Sequence, residues 1–166
     1  MMINSPTEMQ PLLAAKNIEN LFFKKHLRNF KSSIVDEAIH QLNNVISAQI
    51  DCTTCANCCK KLEPGLEDHE IEILAMQKDM PAYQFKQKYV AFDGEAQFLK
   101  TKPCMFLNDC KCSIYTVRPA ACAGYPHLDG TDLKYKRSLW SNYGVCPIVF
   151  NVIEALKTEL NFTYGS

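Results

Sequence analysis

Cys52-Thr53-Thr54-Cys55-Ala56-Asn57-Cys58-Cys59 is the stretch on which the fold turns. Two residues between successive cysteines let the backbone curl so that the sulfurs converge on one centre, as in zinc knuckles and in the C-x2-C-x2-C run of ferredoxins. Buried structural cysteines scatter with the period of a core, and these break it. Adjacent Cys58 and Cys59 cannot both face one ion without strain. One of the two is therefore expected to face a second metal, or to stay free as a reactive or structural thiol.

Working outward, a second group follows in Cys104, Cys110, Cys112, Cys122 and Cys146. Cys110-Lys111-Cys112 is a tight pair in a loop, and Pro103-Cys104 and Cys146-Pro147 set a stiff residue beside two further thiols. Eight of the nine cysteines would complete two tetrahedral four-thiolate sites, or one four-thiolate cluster beside a separate zinc. Such ligands suit zinc and iron–sulfur centres alike, and the ferredoxin-like spacing of the first three tilts the choice towards iron–sulfur. Four thiolates around one zinc leave net negative charge, for which Arg118 and Lys111 are candidate neighbouring donors. His127, five residues after Cys122, is a candidate ligand, although the sulfurs already exceed the need and a surface turn is the plainer reading.

The chain has 166 residues, a hydrophobic fraction of 47% and a charged fraction of 22%. It can bury an ordinary core, and it is not a disordered, collagen-like or coiled-coil chain. The cysteines do not substitute for a missing core. Lys plus Arg total 18 and Asp plus Glu total 18, so nothing advertises a polyanionic partner. Lys134-Tyr135-Lys136-Arg137, the compact basic stretch, reads as a solvated turn rather than a phosphate-binding patch. Metal ions are the expected partners, with a protein partner left open and nucleic acid not expected. The opening MMINSPTEMQ lacks the basic start and apolar run of an export signal, and no window approaches the roughly 20 apolar residues of a membrane span. The expectation is a cytoplasmic protein with no membrane association, where disulfides rarely persist and thiolate chemistry prevails.

Helical periodicity flanks the cysteines. Ile34, Val35, Ala38, Ile39, Leu42, Val45 and Ile46 follow Ser33, whose hydroxyl suits a helix cap. A preceding helix is expected over about residues 17–30, with Phe23, Leu27 and Phe30 on one face and a break at Ser32-Ser33. His26 and His40 on these helices read as plain surface or core histidines. After Pro64-Gly65, Asp68 suits the cap of a helix carrying Ile71, Leu74 and Ala75, with His69 solvated in its first turn. Pro81 suits the first position of another, in which Phe85 and Tyr89 stack. From Gly94 to Ser113 the helical period is lost, and Gln97-Phe98-Leu99 and Ser113-Ile114-Tyr115 read as short strands. A last helical stripe runs from Ile148 to Leu160, opened by Pro147. The expected fold class is mostly α: a small helical domain with irregular cysteine-rich loops and at most short strands, stabilised by metal. Residues 1–49 are expected to form an N-terminal helical segment packing on the core, and 50–160 the cysteine-cluster metal-binding domain of a single-domain protein.

These residues resemble the YkgJ-type cysteine-cluster family. Cys52, Cys55, Cys58 and Cys59 fit its opening C-x2-C-x2-C-C motif, and Pro103-Cys104-Met105-Phe106-Leu107 fits its second cysteine with an aromatic-aliphatic pair. Cys112-Ser-Ile114-Tyr115-Thr-Val-Arg118-Pro119-Ala-Ala-Cys122-Ala-Gly-Tyr125-Pro126 is similar to its most specific stretch, and Cys146 to its late cysteine. The resemblance spans about residues 50–150 and leaves the N-terminal helices uncovered. It implies a zinc- or iron-chelating site, iron–sulfur or zinc, with Cys52, Cys55, Cys58, Cys59, Cys104, Cys112, Cys122 and Cys146 as ligands. Cys110 is an addition to the pattern and reads as the thiol left over. Pro119 biases Arg118 to an extended conformation that projects its guanidinium towards thiolates or a carboxylate, and Tyr115 and Tyr125 read as packing residues that shield the site from water.

The leading function is thus a metal-binding cysteine-cluster protein that holds an iron–sulfur cluster, zinc, or both. An enzyme alternative is protein (lysine) N-methylation, since the related flagellin N-methylases carry the same motif. The glycines, however, are scattered and form no turn that would cradle a nucleotide-like cofactor. A third alternative is redox work, by electron transfer through a cluster or by thiol switching at Cys59 or Cys110. No catalytic residue is assignable from the sequence.

Overall fold

The computed structural model describes residues 2–165. Helices α1 (Pro6–Leu27), α2 (Ser32–Ser47), α3 (Cys52–Cys55) and α4 (Asn57–Lys61) lead to strand β1 (Gly65–Leu66), then α5 (Asp68–Met76) and α6 (Ala82–Tyr89). Strands β2 (Val90–Phe92), β3 (Gln97–Leu99), β4 (Leu107–Asn108) and β5 (Lys111–Cys112) follow, with a 3-10 turn at Tyr115–Val117 and α7 at Ala120–Ala123. A second 3-10 turn (Leu133–Tyr135), α8 (Arg137–Tyr143) and α9 (Pro147–Glu159) complete the chain. The protein is mostly α, as expected, with only short strands. No helix among the described residues is long and apolar enough to cross a membrane. The chain divides into two compact units, one built from the residues up to Cys55 and from Pro126 onward, the other being Ala56–Tyr125.

The first unit is built on α9. Ile148, Val149, Phe150, Val152, Ile153 and Leu156 are all buried, so this helix is apolar nearly all round, as a helix enclosed by others must be. It packs against α1, α2 and α8. Its two buried polar residues are satisfied. Asn151 accepts from Ile3 N at 3.0 Å and donates to Ile3 O at 2.7 Å. Lys157 pairs with Glu19 at 2.7 Å and Glu154 at 2.6 Å, while Lys16 completes a balanced quartet through Glu19 and Glu154, each at 2.9 Å.

α1 begins well before residue 17, because the Ser5 hydroxyl accepts from Glu8 N at 3.3 Å and Pro6 occupies the first turn. Pro11 lies inside this helix and reads as a breaker, yet it removes only one backbone bond. α2 starts at Ser32, one residue before the expected Ser33 cap, and has no side-chain cap. Of the solvated turn expected at Lys134–Arg137, Tyr135, Lys136 and Arg137 are exposed, but Lys134 is half-buried and donates to Leu27 O at 3.3 Å and to Phe30 O, closing the end of α1. α8 begins at the last residue of that stretch, Arg137.

In the second unit, β1, β3 and β2 form an antiparallel sheet in that order, with Phe98 opposite both Gly65 and Ala91. Gly94 (φ +103°) turns the β2–β3 hairpin, and the Asp93 carboxylate accepts from Glu95 N and Ala96 N at 3.0 and 2.9 Å. Leu66, Ile71, Leu74, Phe85, Leu99, Phe106 and Ile114 form the core beneath. The cap of α5 is Glu67, not Asp68: Glu70 reaches back to Glu67 N at 2.8 Å in a capping box, while Asp68 instead pairs with Lys86 at 3.1 Å. Phe85 and Tyr89 do meet, with ring centroids 5.2 Å apart. The strand expected at Ser113–Tyr115 is displaced: β5 precedes it, and Tyr115 enters the 3-10 turn.

Candidate metal centre

All nine cysteines are free thiols, and the two units hold different ones. Cys52, Cys55 and Cys146 belong to the first unit; Cys58, Cys59, Cys104, Cys110, Cys112 and Cys122 belong to the second. The boundary falls between Cys55 and Ala56, inside the cysteine motif. Ala56 is buried and left-handed (φ 51°), a conformation that costs a non-glycine residue roughly 1–2 kcal/mol. It separates α3 from α4.

In the second unit α4 carries Cys58 and Cys59. The next cysteine is tied to it directly, Cys104 N donating to Cys59 O at 2.8 Å. The β4–β5 hairpin pairs Leu107 with Cys112, and Ser113 locks its base by donating from N and Oγ to Phe106 O at 2.8 and 3.0 Å. Cys104 and Cys112 pack, partly buried, against the core. Cys122 rides on α7, whose Ala120 N donates to the buried Glu70 carboxylate at 2.7 Å. Glu70 therefore anchors the Cys122 segment to the start of α5. Cys110 sits in the hairpin turn, with Lys60 Nζ 3.8 Å from its sulfur.

The thiols of this unit act on one another. Cys59 is brought down from 9.0 to about 6, chiefly by the hydrogen bond from the Cys58 thiol, with the Arg118 and Lys60 charges helping against burial. Cys122 is pushed up from 9.0 to about 12 by burial and then by Cys104, Cys59 and Cys112. Cys104 is raised by burial and by the charges of Cys59 and Cys112. Cys104 and Cys122 thus each lie within electrostatic reach of Cys59 and Cys112. Arg118 is extended (φ −64°, ψ 149°), its guanidinium 3.6 Å from the centre of the Tyr115 ring and bonded to Tyr115 O at 3.1 Å. Tyr115 is 53% exposed and serves as a platform for that guanidinium.

The first unit holds a smaller set. Asp51 accepts from Thr53 N at 2.8 Å and from its hydroxyl at 2.7 Å, setting the turn that presents Cys52. Cys146 is buried at the start of α9. Burial raises its thiol from 9.0 to about 11 despite the amides of Val149 and Ile148, and Cys52 and Cys55 add to the rise. Cys52 is raised by burial, by Cys55 and by Asp51. His127 is exposed and left-handed (φ 61°). Among the described residues no group of three or more His, Cys, Asp or Glu side chains is already arranged to hold a metal ion. The donor chemistry fits a thiophilic metal nonetheless, since partly buried sulfurs with a nearby guanidinium and ammonium suit a centre that gathers thiolates.

Sequence reasoning missed Glu70, Lys60 and Cys58's action on Cys59. The Glu67-x-x-Glu70 spacing was the available signal for the first; Lys60 adjoins the motif but meets Cys110 only through the fold.

No curated protein and no solved structure matches the chain. A family model matches residues 51–146, which run from the residue before Cys52 to Cys146 and include every cysteine. Covering more than half of the sequence, that match makes the chain a member of the CxxCxxCC family, described as a "Putative zinc- or iron-chelating domain".

Proposed function

We propose that the protein chelates iron or zinc through thiolates, with Cys59, Cys104, Cys112 and Cys122 as the principal set and Cys52, Cys55 and Cys146 as a second, three-sulfur set. The observation that supports this reading above the others is that Cys59 and Cys112 both raise the thiols of Cys104 and Cys122, and Cys104 also raises Cys122. A bound metal would supply Lewis-acid or redox chemistry and cross-link the loops that carry these residues. The chain's own contribution is to present the donors. The Cys58 thiol, Arg118 and Lys60 hold Cys59 as a thiolate at neutral pH, ready for the first bond, while Cys104 and Cys122 must lose protons on binding. Cys110 and His127 stand outside this set.

Anaerobic purification followed by iron, zinc and acid-labile sulfide analysis tests the proposal. Near-stoichiometric metal, lost in Cys59→Ser and Cys122→Ser but kept in Cys110→Ser, supports it. A visible band that dithionite bleaches identifies an iron–sulfur cluster, and a colourless zinc protein excludes one. Neither metal in the pure protein would overturn the proposal.

A second reading has its own observation. A half-buried thiol brought down to about 6 beside a second thiol is also the description of a reactive cysteine, so redox switching at Cys59 is the alternative if no metal is found.

A further inference from the structure

α1 is apolar on two sides. One side buries Met9, Phe23 and Leu27. On the other, Ile18, Leu21 and Phe22 are 56%, 63% and 54% exposed, at i, i+3 and i+4, where side chains form one contiguous stripe. Lys25 extends the stripe by one turn. Residues 24–31 hold Lys24, Lys25, Arg28 and Lys31 and no carboxylate. Cations in a helix's last turn complement its dipole, which accounts for Lys24 and Lys25. Arg28 and Lys31 lie beyond the helix and are exposed. Lys25, Arg28 and Lys31 form no ion pair with any described residue.

The Ala56–Tyr125 unit carries the opposite surface. A groove of about 680 Å³ is floored by Leu66, Ala120 and Ala121, walled by Phe92 (66% exposed) and rimmed by Glu67 and Glu95. Glu70 also lines it, bonded to backbone amides only. Lys86, the one cation of the lining, is already paired with Asp68 at 3.1 Å. The groove is therefore apolar at its base and negative at its edge, and the α1 stripe is apolar over Ile18, Leu21 and Phe22, whose ring also meets the Tyr164 ring at 5.6 Å, and positive at its end.

We propose that the Ile18–Leu21–Phe22 ridge of one chain docks in this groove of a second copy, with Lys25 and Arg28 meeting the Glu67 and Glu95 rim. Two different surfaces meet, so the contact is heterologous and can propagate from copy to copy unless it closes into a ring. The charge pairs fix register and make the association salt-sensitive. It is independent of which metal the thiols bind.

The test uses the full chain under thiol reductant, by sedimentation equilibrium over about 10–500 µM protein at low and high salt. Mass should rise with concentration and fall in high salt. Lys25→Glu with Arg28→Glu disables the ridge, and Glu95→Lys with Phe92→Thr disables the groove. Each variant alone should stay monomeric, its self-association weakened at least about tenfold. Mixed in equal amounts, the two should form a one-to-one dimer that grows no further, because one variant keeps an intact groove and the other an intact ridge. That recovery also shows that neither variant is merely misfolded. A wild-type chain that stays monomeric, or variants that fail to pair on mixing, would overturn the proposal. So would binding of the ridge to phosphatidylserine vesicles without self-association.

Discussion

Metal affinity in the Ala56–Tyr125 unit should rise steeply with pH. The thiolate is the ligand, so every proton still on a sulfur must leave when the metal arrives. Cys59, at about 6, is already deprotonated above neutrality. Cys122, at about 12, and Cys104, raised by burial, keep their protons there. Each proton displaced is worth about one order of magnitude of affinity per pH unit. Cys104 and Cys122 alone therefore give about a hundredfold per unit from pH 7 to 8.5, and Cys59 adds about tenfold per unit below pH 6. Competition between reduced, metal-free protein and a fluorescent zinc chelator of known affinity, from about pH 6.5 to 8.5, reads the slope. Cys122→Ser should lower it by about one order per unit, whereas Cys110→Ser should leave it unchanged. A wild-type slope shallower than about tenfold per unit would refute the reasoning, because Cys104 and Cys122 would then not be the groups that give up protons.

Three further outcomes follow from particular side chains. Glu70→Ala removes a carboxylate that accepts from Glu67 N at 2.8 Å and Ala120 N at 2.7 Å, and should cost about 3 kcal/mol in urea unfolding, with weaker metal retention because the Cys122 segment is released; unchanged retention would count against Glu70 as an anchor. Lys157→Met leaves Glu19 and Glu154 with Lys16 as their only cation among the described residues and should cost about 3–5 kcal/mol, part of which Glu154→Gln restores. A cost below about 1 kcal/mol would mean that the quartet is solvated. In metal-free protein, the pH midpoint for alkylation of Cys59 should rise more in Cys58→Ala than in Arg118→Ala, since the thiol hydrogen bond is the larger cause of the low value; the reverse order would assign that role to the guanidinium.

Legibility followed the range of the interactions involved. α2, α9 and the Phe85–Tyr89 pair were readable because a repeat of hydrophobic residues on one helix face is a local pattern. The start of α1 was not, because Pro11 masks a helix that its Ser5 cap and its burial against the first unit sustain. The strands were poorly legible: β1, β4 and β5 are two residues each, too short for alternation to show, and exist through partners distant in sequence. The family was legible from the cysteine motif and the Cys112–Pro126 stretch. The division of the chain at Cys55 and Ala56 was not, since no composition shift marks a boundary that falls inside a motif.

That boundary bears on why two cysteines are adjacent. Spacing by two residues suggests that successive sulfurs of the motif converge on one centre, with one of Cys58 and Cys59 facing a second metal or staying free. Ala56 takes a left-handed conformation between α3 and α4, so the regular repeat is broken between Cys55 and Cys58. On α4, consecutive side chains stand about 100° apart, which keeps Cys58 and Cys59 from facing one ion together. What adjacency does provide is a short path for the Cys58 thiol to donate to the Cys59 sulfur, the largest cause of its low value. On this reading the pair is one ligand and one donor. Cys58 holds Cys59 as a thiolate before the metal binds, and Cys104, Cys112 and Cys122 then complete four sulfurs without it. Replacing Cys58 by serine, which keeps a donor, should therefore preserve most of the metal, whereas Cys59→Ser should not. Equal losses in both would make Cys58 a ligand and return the adjacent pair to two different metals.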